Sequence, residues 1–346
     1  MANSTNWRTP QRDRCKYYLQ TREIQSVGVE EKLVPRKVER SYTRFPESWR
    51  PIASDGEGPF TSKVVHRLPN GFIHIWESRL HRKGRGSRLF QPTPRNRAQP
   101  LSFPLRKNPW LHFWAPQRIT WWVAVTFLVG SALFTLAAAA SLFPGAFGQK
   151  AITSAITDWS YFIGAILFTI GTYLEILEAI NAKEYVVLTV EDMPEEGFKW
   201  WAWQPAQIGF LSSFILLIGS LFFNIETTFA LVGVKGGLKE DILVGLPSFL
   251  GAILFVISCY MGFMEVTHQY WAWKPRRIDW WVEMFNLLGS VGFLVGAAFG
   301  FSVPGLSSPE DELIVKISYF QGSAFFLIGS YLMLPEMFSE LKVRSK

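Results

Sequence analysis

Between residues 207 and 225 the chain reads QIGFLSSFILLIGSLFFNI, with no charged side chain along the whole stretch. A soluble core helix keeps a polar stripe facing water, and this segment has none. About 18 or more apolar residues is the length a helix needs to cross roughly 30 Å of hydrocarbon. Five further stretches qualify, at 119–142, 159–180, 243–264, 280–301 and 315–335. The sequence therefore predicts an all-α integral membrane protein with six transmembrane helices.

Charge divides the chain into two materials. Residues 1–109 hold 22 of the 35 Lys and Arg but only 9 of the 28 acidic residues. The membrane part is net acidic. The N-terminal 30 residues contain no apolar segment of the kind that a cleavable signal peptide carries. Outside the tail, Arg118, Lys183, Lys199, Lys274, Arg276, Arg277, Lys342, Arg344 and Lys346 fall on the side of the two termini. Lys150, Lys235, Lys239 and Lys316 fall on the other. The positive-inside rule then predicts that both termini are cytoplasmic.

The apolar body repeats itself. HFWAPQRITWW, WWAWQPAQIGF and WAWKPRRIDWW each precede a long apolar run. Aligned on Pro116, Pro205 and Pro275, they place Trp114, Trp203 and Trp273 two residues earlier, and Gly130-Ser131, Gly219-Ser220 and Gly289-Ser290 downstream at matching distance. The second span of each unit carries Gly164, Gly251 or Gly322, then Phe168, Phe255 or Phe326, and ends on Glu178, Glu265 or Glu336. These spacings predict three parallel tandem helical hairpins, at 110–181, 201–267 and 271–339. The Trp residues, the prolines, Arg118, Arg276 and Arg277 read as interfacial anchors and helix starts. The glycines Gly130, Gly219, Gly289, Gly164, Gly251 and Gly322 read as packing seams, where small residues let helix backbones approach.

This unit, W-x-P-x-x-I with a Gly-Ser span and a second span F-x-G-x-x-x-F-x-x-[GS]-x-Y ending in Glu, resembles the YrhK-like membrane family. The resemblance covers residues 110–339 and implies a bacterial inner-membrane protein. It supplies no catalytic residues, because the motif consists of anchoring and packing positions. The first unit departs from it in the residues flanking Pro116, and the second lacks the basic pair, with Ala206 and Gln207 in its place.

Two cysteines, Cys15 and Cys259, lie in different materials, so neither a disulfide framework nor a thiol metal site is expected. His74, Glu77 and His81 would share a face on a helix, but His74 falls in a predicted strand, where that alignment fails. Val65 and Arg67, then Phe72, His74 and Trp76, alternate around Pro-Asn-Gly and predict a β-hairpin at 62–79 in an otherwise irregular basic region. Residues 80–109 read as a basic, Pro-rich linker along the membrane surface. Its partners are expected to be anionic headgroups of the bilayer, with a protein partner or a second copy of the chain as alternatives. No nucleic-acid-binding fold accompanies the run HRKGRGSR, so nucleic acid is not the expected partner.

Glu178, Glu265, Glu336 and Asn286 are the candidate polar positions. Three equivalent carboxylates at one depth can form a cation-attracting ring. Alternatively each is a solvated helix end paired with Arg118, Arg276 or Arg277. Glu175 and Glu283 lie near an interface, within reach of snorkelling. No catalytic constellation, cofactor fingerprint or metal motif is present, and no enzyme is expected. The sequence favours a structural or sensing membrane protein with a lipid- or partner-binding tail. A channel or transporter for a small solute or cation is the alternative. Convergence of the glutamates and Asn286 on one axis would favour permeation, and dispersal would favour anchoring.

Overall fold

The computed structural model describes residues 45, 48–85, 88–91, 99–100, 110, 113–182, 197–300 and 309–338. Cys15, Lys183, the C-terminal Lys342, Arg344 and Lys346, and most of the stretch expected as a linker beyond residue 91 lie outside the described residues.

Six long apolar helices dominate: α2 (Ile119–Leu142), α3 (Lys150–Ile180), α4 (Ile208–Leu231), α5 (Gly237–Thr267), α6 (Ile278–Phe299) and α7 (Pro309–Phe338). Four outrun the apolar windows. At about 1.5 Å per residue, the 31 residues of α3 span more than the hydrocarbon, so its first turns project beyond it. The start of α5 contains a π-helical turn at Asp241–Gly245.

Each helix packs on its chain neighbours, and α7 packs back on α2, closing a six-membered ring. The hairpin seams run through glycine. A Cβ on Gly219 would lie 2.7 Å from the Phe255 ring and 3.1 Å from the Gly251 carbonyl. One on Gly289 would lie 2.9 Å from Phe326 and 3.0 Å from the Gly322 carbonyl, and one on Gly130 2.9 Å from Phe168. Burial of apolar groups gives no preference for the interior over lipid, so close backbone approach and van der Waals contact hold such a ring together. Its outer face presents apolar side chains including Leu136, Ile166, Leu221, Ile257, Leu288 and Ile328.

The N-terminal region is more ordered than its composition suggests. Strands β1 (Arg50–Asp55), β2 (Lys63–Arg67), β3 (Ile73–Glu77), β4 (Arg88–Gln91) and β5 (Gln99–Pro100) form an antiparallel meander in chain order. The expected hairpin is β2–β3, with His66 opposite His74 and Lys63 opposite Glu77. Its tip uses Gly71 at a φ of 82°, open to glycine, and the Asn70 side chain accepts from the Phe72 N–H. Val64, His66 and Leu68 are buried, whereas Arg67 is exposed. Phe45 and Trp49 cover His66 and His74, and burial lowers these imidazoles to about 4 and about 3. The linker reading at 80–109 is corrected at its start. A short helix α1 (Ser78–Arg82) leaves β3 directly and enters the ring.

Candidate functional site

The end of the ring nearest the sheet carries the glutamates, and they converge. Glu178 ends α3, Glu265 ends α5 and Glu336 ends α7; all three are buried. They meet α1. Arg79 donates through Nε and Nη2 to Glu336 at 2.8 and 3.0 Å, and through Nη1 to Glu283. Arg82 donates to Glu265 through Nε at 3.1 Å and Nη2 at 3.0 Å. Its Nη1 reaches both Glu175 and Glu178 at 3.2 Å. The Ser78 hydroxyl donates to Glu265 at 2.6 Å, and Lys83 lies 4.0 Å from Glu178.

The pairing with Arg118, Arg276 and Arg277 expected from the sequence is therefore corrected. Arg276 is exposed, and a guanidinium N–H of Arg118 points at the Met337 carbonyl. Arg277 is buried, donating to Asp279 at 2.6 Å and to Glu77 at 3.4 Å. It is no snorkelling anchor, because Asp279 two residues on turns it inward. Trp114, Trp203 and Trp273 are exposed, as interfacial residues would be. Pro116, Pro205 and Pro275 precede the helix starts, and the Trp122 and Trp281 indoles donate to the Pro116 and Pro275 carbonyls.

Five carboxylates thus face two guanidiniums and one ammonium. Burial alone would lower the affinity of Arg79 and Arg82 for their protons. The surrounding carboxylates, Glu336 and Glu283 for Arg79 and Glu265 first for Arg82, outweigh it and hold both well above the ordinary arginine value. Taking such charges out of water costs several kcal/mol each, recovered only through close, multiple hydrogen bonds. Room for the side chains is made by glycine. A Cβ on Gly209 would fall 2.8 Å from the Arg82 Cδ, and one on Gly262 would strike the Glu283 carboxylate.

Four residues after the aligned prolines stand Thr120, Gly209 and Asp279. They behave differently: Thr120 donates to Glu178, Gly209 admits Arg82, and Asp279 holds Arg277. These like positions make unlike contacts, and of the three only that of Gly209 is with α1.

Beneath α1 lies a cavity of about 40 Å³, lined in part by Glu175, Glu283, Asn286, Ser212, Ser258 and Ser330. Asn286 thus lines the same cavity as Glu175 and Glu283, beside Arg79 and Arg82, while Glu178, Glu265 and Glu336 are not part of its lining. Below this cavity the axis is filled by aromatic rings. Phe168, Phe255 and Phe326 form a triangle with centroids 6.1, 5.7 and 5.9 Å apart. Phe134, Phe223 and Phe293 form the next layer, each against the phenylalanine of its own hairpin at 5.0, 4.8 and 5.7 Å. Contacts this close leave no water-filled opening.

Past the second layer is another cavity, of about 70 Å³, lined by Tyr161, Tyr319, Glu226 and Asp158 among others. Sequence reasoning saw Arg82 only as part of the basic run HRKGRGSR and did not single out Arg79, Glu226 or Asp158. For the two arginines the signal was the opposite charge of the two parts of the chain, read together with basic residues directly after a strand. Among the described residues no group of three or more His, Cys, Asp or Glu side chains is placed to hold a metal ion. His74 packs among rings and Glu77 pairs with Arg277. No protein-family model, no curated protein and no solved structure matches this chain.

Proposed function

We propose that this membrane protein is a gated pathway for a small cation, with α1 as a plug seated in its cytoplasmic mouth. The observation that carries the reading is the convergence of Glu178, Glu265 and Glu336 on Arg79 and Arg82 at the ring axis. Dispersed carboxylates would have favoured the structural or sensing role. Carboxylates at the mouth attract cations, and a hydrophobic constriction closes a pore by excluding water. The plug neutralises the first feature, and the two phenylalanine layers supply the second.

The charge bias of the loops supports cytoplasmic termini in a bacterial inner membrane, where the basic tail would also meet anionic headgroups. The three aligned hairpins support descent from a YrhK-like two-span unit. A parallel triplet relates by rotation about the membrane normal, which places like side chains at like depth around one axis, unlike the inverted repeats of many secondary transporters.

The test is flux of potassium and ammonium through purified protein in liposomes. Wild type is expected to leak slowly. Phe168→Ala, with the plug intact, and Arg79→Ala/Arg82→Ala should both pass cations faster. Adding Glu178→Gln, Glu265→Gln and Glu336→Gln to the faster variant should lower its flux. Impermeability of wild type, the Phe168 variant and the arginine variant under every gradient and voltage would overturn the pathway.

A further inference from the structure

The distal cavity differs from the proximal one in kind. Among the described residues no Lys or Arg lines it. Its floor is the second phenylalanine layer, Phe134, Phe223 and Phe293, and its walls include Tyr161 and Tyr319. The rings form a continuous cage: Phe134 to Tyr161 is 5.9 Å between centroids, Tyr161 to Tyr319 is 6.5 Å, and Tyr319 to Phe293 is 5.6 Å. The Tyr319 hydroxyl is held 3.2 Å from the Ser248 hydroxyl, which fixes one wall. Two carboxylates, Glu226 and Asp158, complete the lining, and Ser154 donates to Asp158 at 3.1 Å.

Among the described residues no Lys or Arg faces Glu226 and Asp158 in this aromatic-lined chamber, so a cation entering it would be the positive partner these carboxyls lack. A hard divalent ion is a poor match, because it draws six or more oxygens into close contact, and the lining brings only two carboxylates, with no set of three metal-ligating side chains among the described residues. A bare alkali cation meets the same shortage. An ammonium group is satisfied differently, by carboxylate oxygens accepting its N–H bonds and by aromatic faces attracting its charge. Size narrows the class further. An apolar cavity of about 150 Å³ accepts benzene, so one of 70 Å³ accommodates roughly half as many heavy atoms.

We infer that the distal chamber is a binding site for small primary or secondary ammonium ions, of the size of ammonium to dimethylammonium, with Glu226 as the charge partner and Tyr161, Phe293 and Tyr319 as the cage. As the site of a transported substrate this rests on the pathway reading; as a binding site it stands alone. Nothing in the proximal socket offers the same chemistry, because its carboxylates are already occupied by Arg79 and Arg82.

The experiment is calorimetric titration of the full chain in detergent with methylammonium chloride, beside tetramethylammonium and sodium chlorides at equal ionic strength. Saturable binding of methylammonium is expected, with tetramethylammonium and sodium at least about tenfold weaker. Glu226→Gln should weaken methylammonium about tenfold or more, and Tyr319→Leu should weaken it while leaving the weak sodium response unchanged. The order of affinities in wild type needs no variant, so the test survives a variant that fails to fold. Absence of saturable methylammonium binding, equal binding of sodium, or an unchanged affinity in a folded Glu226→Gln protein would overturn the site. Binding with no flux would keep the site and sink the pathway; flux of ammonium with no binding here would do the reverse.

Discussion

Arg82 is the side chain on which the seating of the N-terminal domain turns most heavily. Its guanidinium contacts Glu265 through Nε and Nη2, and Glu175 and Glu178 through Nη1. Arg82→Ala removes no carboxylate, so three buried or largely buried acidic groups lose a shared counter-charge. Breaking a buried pair from one side costs about 3–5 kcal/mol. That cost corresponds to a shift of roughly two to four powers of ten in the seated fraction. Glu265→Gln alone should cost less, because Arg82 retains two other carboxylates. The double variant should then be milder than the sum, with a coupling of about 0.5–3 kcal/mol. Hydrogen exchange of residues 78–83 reports seating directly, since those amides are protected only while α1 is enclosed. Thermal melting in detergent reports whether the ring survives. Protection of residues 78–83 unchanged in Arg82→Ala, or strict additivity with Glu265→Gln, would refute the view that these contacts hold α1 in place.

Two further outcomes are expected. Gly219→Leu and Gly289→Leu should each lower folded yield and cost at least about 1–3 kcal/mol, because even a Cβ meets Phe255 or Phe326 inside normal contact distance; unaltered yield and melting for both would remove the seam assignment. The folded values of His66 and His74, about 4 and about 3, lie below the ordinary 6.5, so an unfolded chain binds the extra protons. The N-terminal sheet should be fully stable above pH 6.5 and lose a few kcal/mol as the pH falls toward 4 and 3, with near-ultraviolet circular dichroism of Trp49 and Trp76 fading before the helical signal. Loss of both signals at one pH would contradict it.

The six helices and their seams were legible because lipid imposes a length and a composition that few other structures satisfy, and because glycine at the contact is visible as a letter. Glu178, Glu265 and Glu336 were legible as equivalent positions. Their partners were not. Arg79 lies 257 residues from Glu336, and Arg82 lies 183 from Glu265, and no local periodicity records a pairing over such separations. Nearby arginines were the natural guess, and Arg277 in particular was drawn away by Asp279. The inward face of β2 was not legible because Val64 and Val65 are both apolar; Phe45 and Trp49 pack against His66, on the same face as Val64. Glu226 escaped notice because the apolar window ended at residue 225, although α4 continues to Leu231.

Thr120, Gly209 and Asp279 carry one more consequence. A socket assembled from three like corners offers a wedge-shaped insert three rotational settings of nearly equal fit. An insert free to sit in any of them would position the attached sheet in three directions and relay no defined orientation. The three dissimilar residues at one corner position break that likeness: Gly209 yields the space that Arg82 fills, whereas Thr120 donates to Glu178 and Asp279 captures Arg277, so only one corner admits the arginine in this way. The ring is therefore keyed, and a chain in which all three corners were made alike would seat its insert while losing its bearing.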